Sequence, residues 1–587
     1  MKNYILKVFS SLSYVRRLAN IISNIKLMLA LAFIAGVIKF SAPLLITIIT
    51  SRVIDNIIMD ESLTSSQRII LLVKYVMIVI IVFVLIWAPS TYYRQYLTEL
   101  ITVKITSRLR EKVTNHIFSL PFSFFQEKQS GEINSRIISD VNLVATLVSG
   151  GLVYVWIDLA SIAVVAFLVF YEDPFVGGIS LLFIPLYVYL MKYFRDLIKV
   201  SSYKIQSMQG DFSAYIQDRL SNIETIRNYN SHDVEAENTR KLVNGYEHAF
   251  LKRSRIKSFN LLIMGQLSQL PSVIILALGG YEVITGGLTI GAFIALTMYI
   301  RQIFWPLDRV AEFNVNFAAA TASLDRIYQI LDVESERCQS HLAIGFPVDF
   351  STITFNNVFA SYNLTDKFAL YDISFSIKKG EIIAIAGPSG SGKTTLARLL
   401  ERTIACRTGE IFIDNININH IDLVHYRKNI KVVPQNPLLF SDTIKMNISY
   451  QEKNIPVSQL YQACSRAGAL DFILSFPLAF NYHVGERGDL LSGGQRQRVA
   501  ISRALASRSE IYIFDESTAN LDTETERSFY EMLRKLRGKY TIIIIAHRPA
   551  VFDYVDRAIL INEGRLEHEG TPEYLRNCSP LFRKLAG

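Results

Sequence analysis

Nine consecutive residues, Gly387-Pro-Ser-Gly-Ser-Gly-Lys-Thr-Thr395, carry the densest chemistry in the chain, through Gly387, Ser389, Gly390, Gly392, Lys393, Thr394 and Thr395. Small residues let successive backbone N–H groups curl around an oxyanion, and a lysine followed by two hydroxyls adds a cation and a metal-binding oxygen. The stretch follows an apolar run, Glu381–Ala386, and opens into another, Leu396–Leu400. Strand, glycine loop and helix in that order form a phosphate cradle, to which the helix N-terminus adds a favourable dipole. The pattern assigns Lys393 to the β- and γ-phosphates of ATP and the Thr394 hydroxyl to Mg²⁺.

Two other segments complete that chemistry. The apolar strand Ile511–Phe514 ends in Asp515-Glu516. Acids at the tip of a buried parallel strand are what Mg²⁺–ATP chemistry needs, Asp515 in the metal's coordination shell and Glu516 polarising the attacking water. Leu491-Ser-Gly-Gly-Gln495 lies between them, and its Ser492, Gly493, Gly494 and Gln495 begin a further apolar helix. Such a start can offer donors to phosphate, although an ordinary glycine loop capping a helix reads the same way. One chain thus has two phosphate-binding helix starts but one P-loop lysine. The simplest resolution is that the serine-glycine loop serves nucleotide held by a second copy.

The elements that position these residues emerge from periodicity. From Val348 onward, short apolar strands (Ile382–Ala386, Lys431–Val433, Ile511–Phe514, Thr541–Ile545) alternate with helical stretches, which predicts an α/β P-loop ATPase domain over 348–587. The preceding part is of another kind. Six apolar stretches, near Leu27–Ile49, Ile69–Trp87, Val148–Phe170, Phe175–Met191, Phe259–Val283 and Leu288–Pro306, approach or exceed the ~20 residues a helix needs to cross a bilayer. The reading is a membrane protein: a six-helix transmembrane bundle over 1–331, a polar linker over 332–347, then the ATPase domain. Composition agrees, with 50% hydrophobic and only 19% charged residues.

A formal charge of +9 could suggest nucleic acid, but the basic residues gather beside apolar runs, at Arg16, Arg17 and Lys26 and again at Lys252, Arg253, Arg255 and Lys257. The turns at Tyr171–Pro174 and Thr285–Gly287 are nearly free of them. That bias puts the N-terminus, the long connections and the ATPase domain in the cytoplasm of a multi-pass plasma (inner) membrane protein, with the lipid bilayer and not nucleic acid as partner. Runs two and three, and four and five, are about sixty residues apart, and both connections carry helical periodicity, so long cytoplasmic helical extensions are expected. Residues 1–17 read as an amphipathic surface helix or else a frayed tail. No removable signal peptide is visible, and Cys338, Cys406, Cys464 and Cys578 form no CxxC pair.

Charges inside the apolar runs are costly and normally face a cavity or one another. Lys39, Asp158 and Arg301 fall at similar depths of runs one, three and six. Either Asp158 forms a structural ion pair with a basic partner, or it contacts substrate in a cavity that Gln266 and Gln269 also line.

Taken together, Gly387–Thr395, Leu491–Gln495 and Ile511–Glu516 resemble the Walker A, signature and Walker B motifs of ATP-binding cassette proteins. The resemblance covers nearly the whole chain and is to the exporter-type half-transporter. It implies that Tyr362 stacks on adenine, that Gln435 is the Q-loop glutamine and a further Mg²⁺ ligand, that Ala519–Asp522 is the D-loop and that His547 contacts the γ-phosphate. Val484–Gly488 is similar to the exporter X-loop, and Phe124, Phe125, Gly131, Glu132, Arg136 and Asp140 to the first cytoplasmic loop of such exporters. Asn222 and Asn520 depart from the usual small residues of the second loop and the D-loop. The family implies ATP-driven export of an unidentified substrate by alternating access in a dimer, with Glu516, Gln435 and His547 catalytic and a homodimer of two competent sites. Import of a small ligand such as a metal chelate on the same fold is the alternative.

Overall fold

The computed structural model describes residues 25–128, 130–336, 344–362, 368–450, 455–518, 523–546 and 548–586. The expected N-terminal surface helix, Ala519–Asp522, Cys338 and His547 lie outside them. The chain divides into two compact units. One comprises the membrane helices up to Ile117 and from Gly131 to Asp332; the other comprises Phe118–Ser130 and the chain from Val333 onward.

Among the described residues, six helices are long and apolar enough to span a membrane: Lys26–Ile58, Ser65–Ile117, Ser130–Glu172, Pro174–Ser221, His232–Thr285 and Ile290–Val310. The fourth and fifth run 48 and 54 residues, more than twice the ~20 that hydrocarbon requires. The extensions expected from the spacing of the apolar runs are therefore helical. Local chemistry makes the turns. Asp173 Oδ1 accepts from the Val176 N–H at 2.7 Å, and Pro174 takes the first helical position, where its missing N–H costs nothing. Gly286, at φ +82°, ends the fifth helix, and the Thr289 hydroxyl caps the sixth through the Ala292 N–H. Val165, Val169, Tyr187, Leu296, Tyr299, Ile300 and Ile303 form the bundle core. Ile70, Val73, Val84 and Leu85 of the second helix stay exposed, as suits side chains whose solvent is lipid.

Phe118–Ser130 separates from its neighbours because its backbone is satisfied elsewhere. The Ser119 carbonyl accepts from the Glu336 N–H at 3.0 Å and from the Ser335 hydroxyl at 3.1 Å. Glu336 in turn receives Arg427 at 2.7 Å. The sequence reading leaves this segment within the membrane domain, since only tertiary contact reveals where it packs.

In the second unit the strands are β1 (Thr352–Ala360), β2 (Leu370–Lys378), β3 (Ile382–Ala386), β4 (Thr408–Ile413), β5 (Ile416–Asn417), β6 (Ile430–Val433), β7 (Ile511–Asp515), β8 (Thr541–Ile545), β9 (Arg557–Asn562) and β10 (Arg565–Gly570). An antiparallel sheet of order β2-β1-β4-β5 packs with a six-stranded sheet of order β10-β9-β3-β8-β7-β6. All neighbours in the larger sheet are parallel except β10, which pairs antiparallel with β9. Every residue of β3, β7 and β8 is buried, which explains continuous apolar strands in place of alternating ones. The helices that matter for the site are α1 (Lys393–Leu400), α2 (Gly493–Ala506) and α3 (Thr523–Lys535).

Candidate active site

Parallel strands deliver their C-terminal ends to one edge of a sheet, so the loops leaving those ends are brought together. After β3 comes the loop 387–392. Gly387, at φ +155°, leaves no room for a side chain, because a Cβ there would lie 2.0 Å from the Ile561 carbonyl oxygen. Gly392, at φ +102°, caps α1, and its Cβ would lie 2.6 Å from Leu370 Cδ2 and 2.8 Å from the Ala369 carbonyl oxygen. At Gly390, φ +79°, a Cβ would meet nothing within 4 Å. Lys393 is 5% exposed, and its ammonium donates to the carbonyls of Gly387 at 3.0 Å and Pro388 at 2.8 Å. Burial lowers its pKa, opposed by the carboxylates of Glu516 and Asp515.

Next but one in the sheet, β7 ends at Asp515. Burial, reinforced by the adjacent Glu516, raises the Asp515 carboxyl above its ordinary range, and Thr394, Lys393 and Arg398 only partly offset this. Its Oδ1 is buried with no hydrogen-bond partner among the described residues, as is the Ser391 hydroxyl of the loop. Glu516 holds a left-handed φ of +47°, a sparsely populated state for a residue with a side chain. Its N–H reaches back to the Ile545 carbonyl of β8 at 3.3 Å. The loop after β6 brings Gln435, whose side-chain N–H donates to a Glu516 carboxylate oxygen. That bond does not use the Gln435 side-chain carbonyl oxygen. The Thr394 hydroxyl, Gln435 carbonyl and orphaned Asp515 oxygen form a hard-oxygen donor set that fits Mg²⁺.

Tyr362 also arrives at α1: its hydroxyl lies 3.1 Å from the Thr395 hydroxyl, and the Arg398 guanidinium stands 5.3 Å above its ring. The serine-glycine loop folds as a capped helix start. Ser492 accepts from the Gln495 N–H at 3.2 Å, while the Gln495 side chain accepts from the Ser492 N–H at 2.9 Å. Ser492 itself is exposed, and Gly493 and Gly494 are half-buried.

Sequence reasoning missed two supports. The buried Gln497 of α2 donates to the Pro434 carbonyl at 3.4 Å, tying the serine-glycine helix to the loop that carries Gln435. Glu526 of α3, 5% exposed, receives Arg548 at 2.6 Å and the Tyr530 hydroxyl at 3.2 Å, and Tyr530 contacts Thr518 at 3.0 Å. A signal existed, since Glu526 precedes buried Phe529, Tyr530 and Leu533 at helical spacing and is thus a charge on an apolar face.

Among the membrane charges, the structure joins Asp158 to Arg309, a residue the sequence reading did not select, at 3.0 and 2.5 Å. Asp158 is 2% exposed, and Arg94 and Lys39 add positive charge nearby. Arg301 instead reaches Gln269 at 3.4 Å, and Gln266 is exposed. Of the five selected residues, Asp158 thus joins an ion pair with the half-exposed Arg309, Arg301 and Gln269 form an exposed hydrogen-bonded pair, and Lys39 and Gln266 enter neither. Cutting Arg309 to Ala strands the Asp158 carboxylate and should lower stability by about 3–5 kcal/mol. Asp158→Ala in the same background should restore most of it. Thermal unfolding of the detergent-solubilised variants measures both.

Comparison with known proteins identifies two regions of the chain. The transmembrane region of ABC transporters matches residues 27–307, and the ABC transporter ATPase region matches 370–519. A Bacillus subtilis protein named as a multidrug export ATP-binding/permease protein is 28% identical over 97% of this chain and 98% of its own. A Staphylococcus aureus protein of the same description is 30% identical over 95% and 96%. The fold is also that of a bacterial Atm1-family ABC exporter solved with ATP bound, at a TM-score of 0.83 and 24% identity over 96% of this chain and 98% of that one. The chain belongs to the ATP-binding cassette transporters, as an exporter-type half-transporter in which a transmembrane region and an ATPase are fused to couple ATP hydrolysis to transport.

Proposed function

We propose that two copies of this half-transporter hold two ATP molecules between them, each bridging Lys393 of one copy and Ser492 of the other, and so export a substrate across the plasma (inner) membrane. One observation carries the reading. A single sheet edge gathers the phosphate loop, Asp515, Glu516 and Gln435, whereas Ser492 stands exposed at the start of a separate helix, ready for an anion that a second copy would bring.

Each residue then has its task. The loop 387–392 and the start of α1 turn backbone N–H groups toward the phosphates, and Lys393 exchanges its two loop carbonyls for the β- and γ-phosphate oxygens. Tyr362 stacks on adenine. Thr394, Gln435 and Asp515 would hold Mg²⁺, which when bound neutralises developing charge on the phosphates. Glu516, set by Gln435, orients water and takes its proton, and the family resemblance assigns His547 to the γ-phosphate. ATP in both sites favours the closed pair, and loss of the γ-phosphate releases it. Phe118–Ser130 packs in the ATPase unit while continuing the second and third membrane helices, which suits it to pass that change on.

The names of the two relatives favour export over chelate import. The Lys and Arg bias supports a cytoplasmic N-terminus and ATPase. Inside-out membrane vesicles containing the protein should accumulate amphiphilic dyes when ATP is added; accumulation only in right-side-out vesicles would reverse the direction. For Tyr362→Ala, loss of base stacking should weaken ATP binding by about 1–3 kcal/mol, with Tyr362→Phe near wild type, in a calorimetric titration.

A further inference from the structure

The ATPase unit holds a further cavity, of about 620 Å³, away from the candidate active site. The parallel sheet explains its place. Loops leaving the C-terminal ends of the strands build the phosphate site, whereas this cavity lies at the opposite edge, where β7 and β8 begin. Tyr512 of β7 and Tyr540, the residue before β8, line one side, and their rings meet edge-on at 5.4 Å. The other side is the helix Val457–Arg466, held against the end of α2 by Gln459, which donates to the Ala506 carbonyl at 2.6 Å.

Three separate segments each bring a cation to this space. Arg466 ends its helix, Arg508 follows α2, and Lys539 precedes β8. Among the described residues no acid lines the cavity, and none of the three cations forms an ion pair. Arginines elsewhere in the unit do find carboxylates, as in Arg427–Glu336, Arg548–Glu526 and Arg557–Glu381. Lys539 stands 5.2 Å from the Tyr540 ring. Arg466 and Arg508 lie at or just beyond the C-terminal ends of two helices, where each dipole is worth about half a negative charge, so of three positive charges about two remain uncompensated. A bound anion would remove that repulsion.

The excess matches a phosphate ester, which near neutral pH carries almost two negative charges on one group. An acidic peptide spreads the same charge over several carboxylates. Ser458 and Gln462 share a helix face with Arg466, at intervals of four residues, and supply neutral donors. Pro456, Leu505 and the Tyr540 ring make an apolar wall. The volume falls within the roughly 300–1,000 Å³ of small-molecule sites and exceeds what a bare phosphate fills. We propose that this cavity is a regulatory site for a small organic phosphate, its phosphate held by Arg466, Arg508 and Lys539 and its organic part lying against Leu505 and Tyr540. The ligand adjoins β7 at Tyr512, and three residues further along, about 10 Å, the same strand presents Asp515, so occupancy changes the response to ATP.

The test uses the full chain in a neutral detergent with saturating ADP and Mg²⁺, which fill the candidate active site, and fructose 1,6-bisphosphate as the probe in a calorimetric titration. The bisphosphate should bind, more weakly as salt is raised, and neutral fructose should not. Arg466→Gln with Lys539→Gln should weaken binding at least ~10-fold through lost charge-assisted hydrogen bonds, and Arg508→Gln alone is a second variant should the pair fail to fold. In turnover assays without ADP, the probe should shift the KM for ATP by about 5-fold or more in the wild type, and the shift should vanish in the variants. No binding with ADP present, unchanged affinity in a folded variant, or binding without a shift in KM would overturn the proposal. Hexaglutamate binding as tightly as the bisphosphate would also overturn it, by making the cavity a dock for an acidic segment.

Discussion

Replacing Glu516 by Gln lowers ATP turnover by roughly 10²–10⁴-fold and leaves nucleotide binding intact, as expected when a group that takes a proton from the attacking water is made unable to do so. The substitution is nearly isosteric and leaves the phosphate loop, Lys393 and the orphaned Asp515 oxygen unaltered. Gln435 donates to Glu516, and an amide can still accept that bond through its oxygen, so the local geometry should hold. Stopped after binding and before cleavage, the variant should accumulate as an ATP-bound closed pair. Steady-state phosphate release gives the rate, and retention of labelled ATP after gel filtration gives the trapped state. Turnover within a few-fold of wild type would remove Glu516 from the catalytic role.

The second large effect concerns sharing. Lys393→Ala removes the cation from the phosphate loop, and Ser492→Arg fills the start of α2 with a bulky side chain, so each alone should cost roughly 10²–10³-fold in turnover. In homodimers of either variant, both composite sites are damaged. Co-expressed, the two chains pair at random, and each mixed dimer combines one doubly damaged site with one intact site. Turnover should then recover to about a quarter of wild type, if each site works independently in a two-fold pair. Purification through two different affinity tags isolates the mixed species, whose recovery should be about half. No recovery in that species, with intact nucleotide binding, contradicts nucleotide held between copies. The capping box makes Ser492→Arg structurally tolerable, because its loss removes only ~1 kcal/mol of helix stability.

Much of this protein was legible in its residues. Apolar runs long enough to cross lipid, and glycines and hydroxyls at fixed offsets around Lys393, are local patterns set by the bilayer's thickness and by the size of a phosphate. The strands expected at Ile382–Ala386 and Thr541–Ile545 appear at those residues, because strands buried on both faces must be continuously apolar. Pairings between distant segments were not legible. Nothing in a linear string joins Asp158 to Arg309, Glu526 to Arg548, or Ser119 to Glu336, separated by 151, 22 and 217 positions. A buried charge announces that it needs a partner, but several candidates of the right sign satisfy the same rule, and only the packing of helices chooses among them. The sequence by itself therefore determined which chemistry the chain carries and which parts lie in lipid. Tertiary structure decided which charges neutralise one another and which remain open to a ligand, because that depends on the register of helices far apart in the chain.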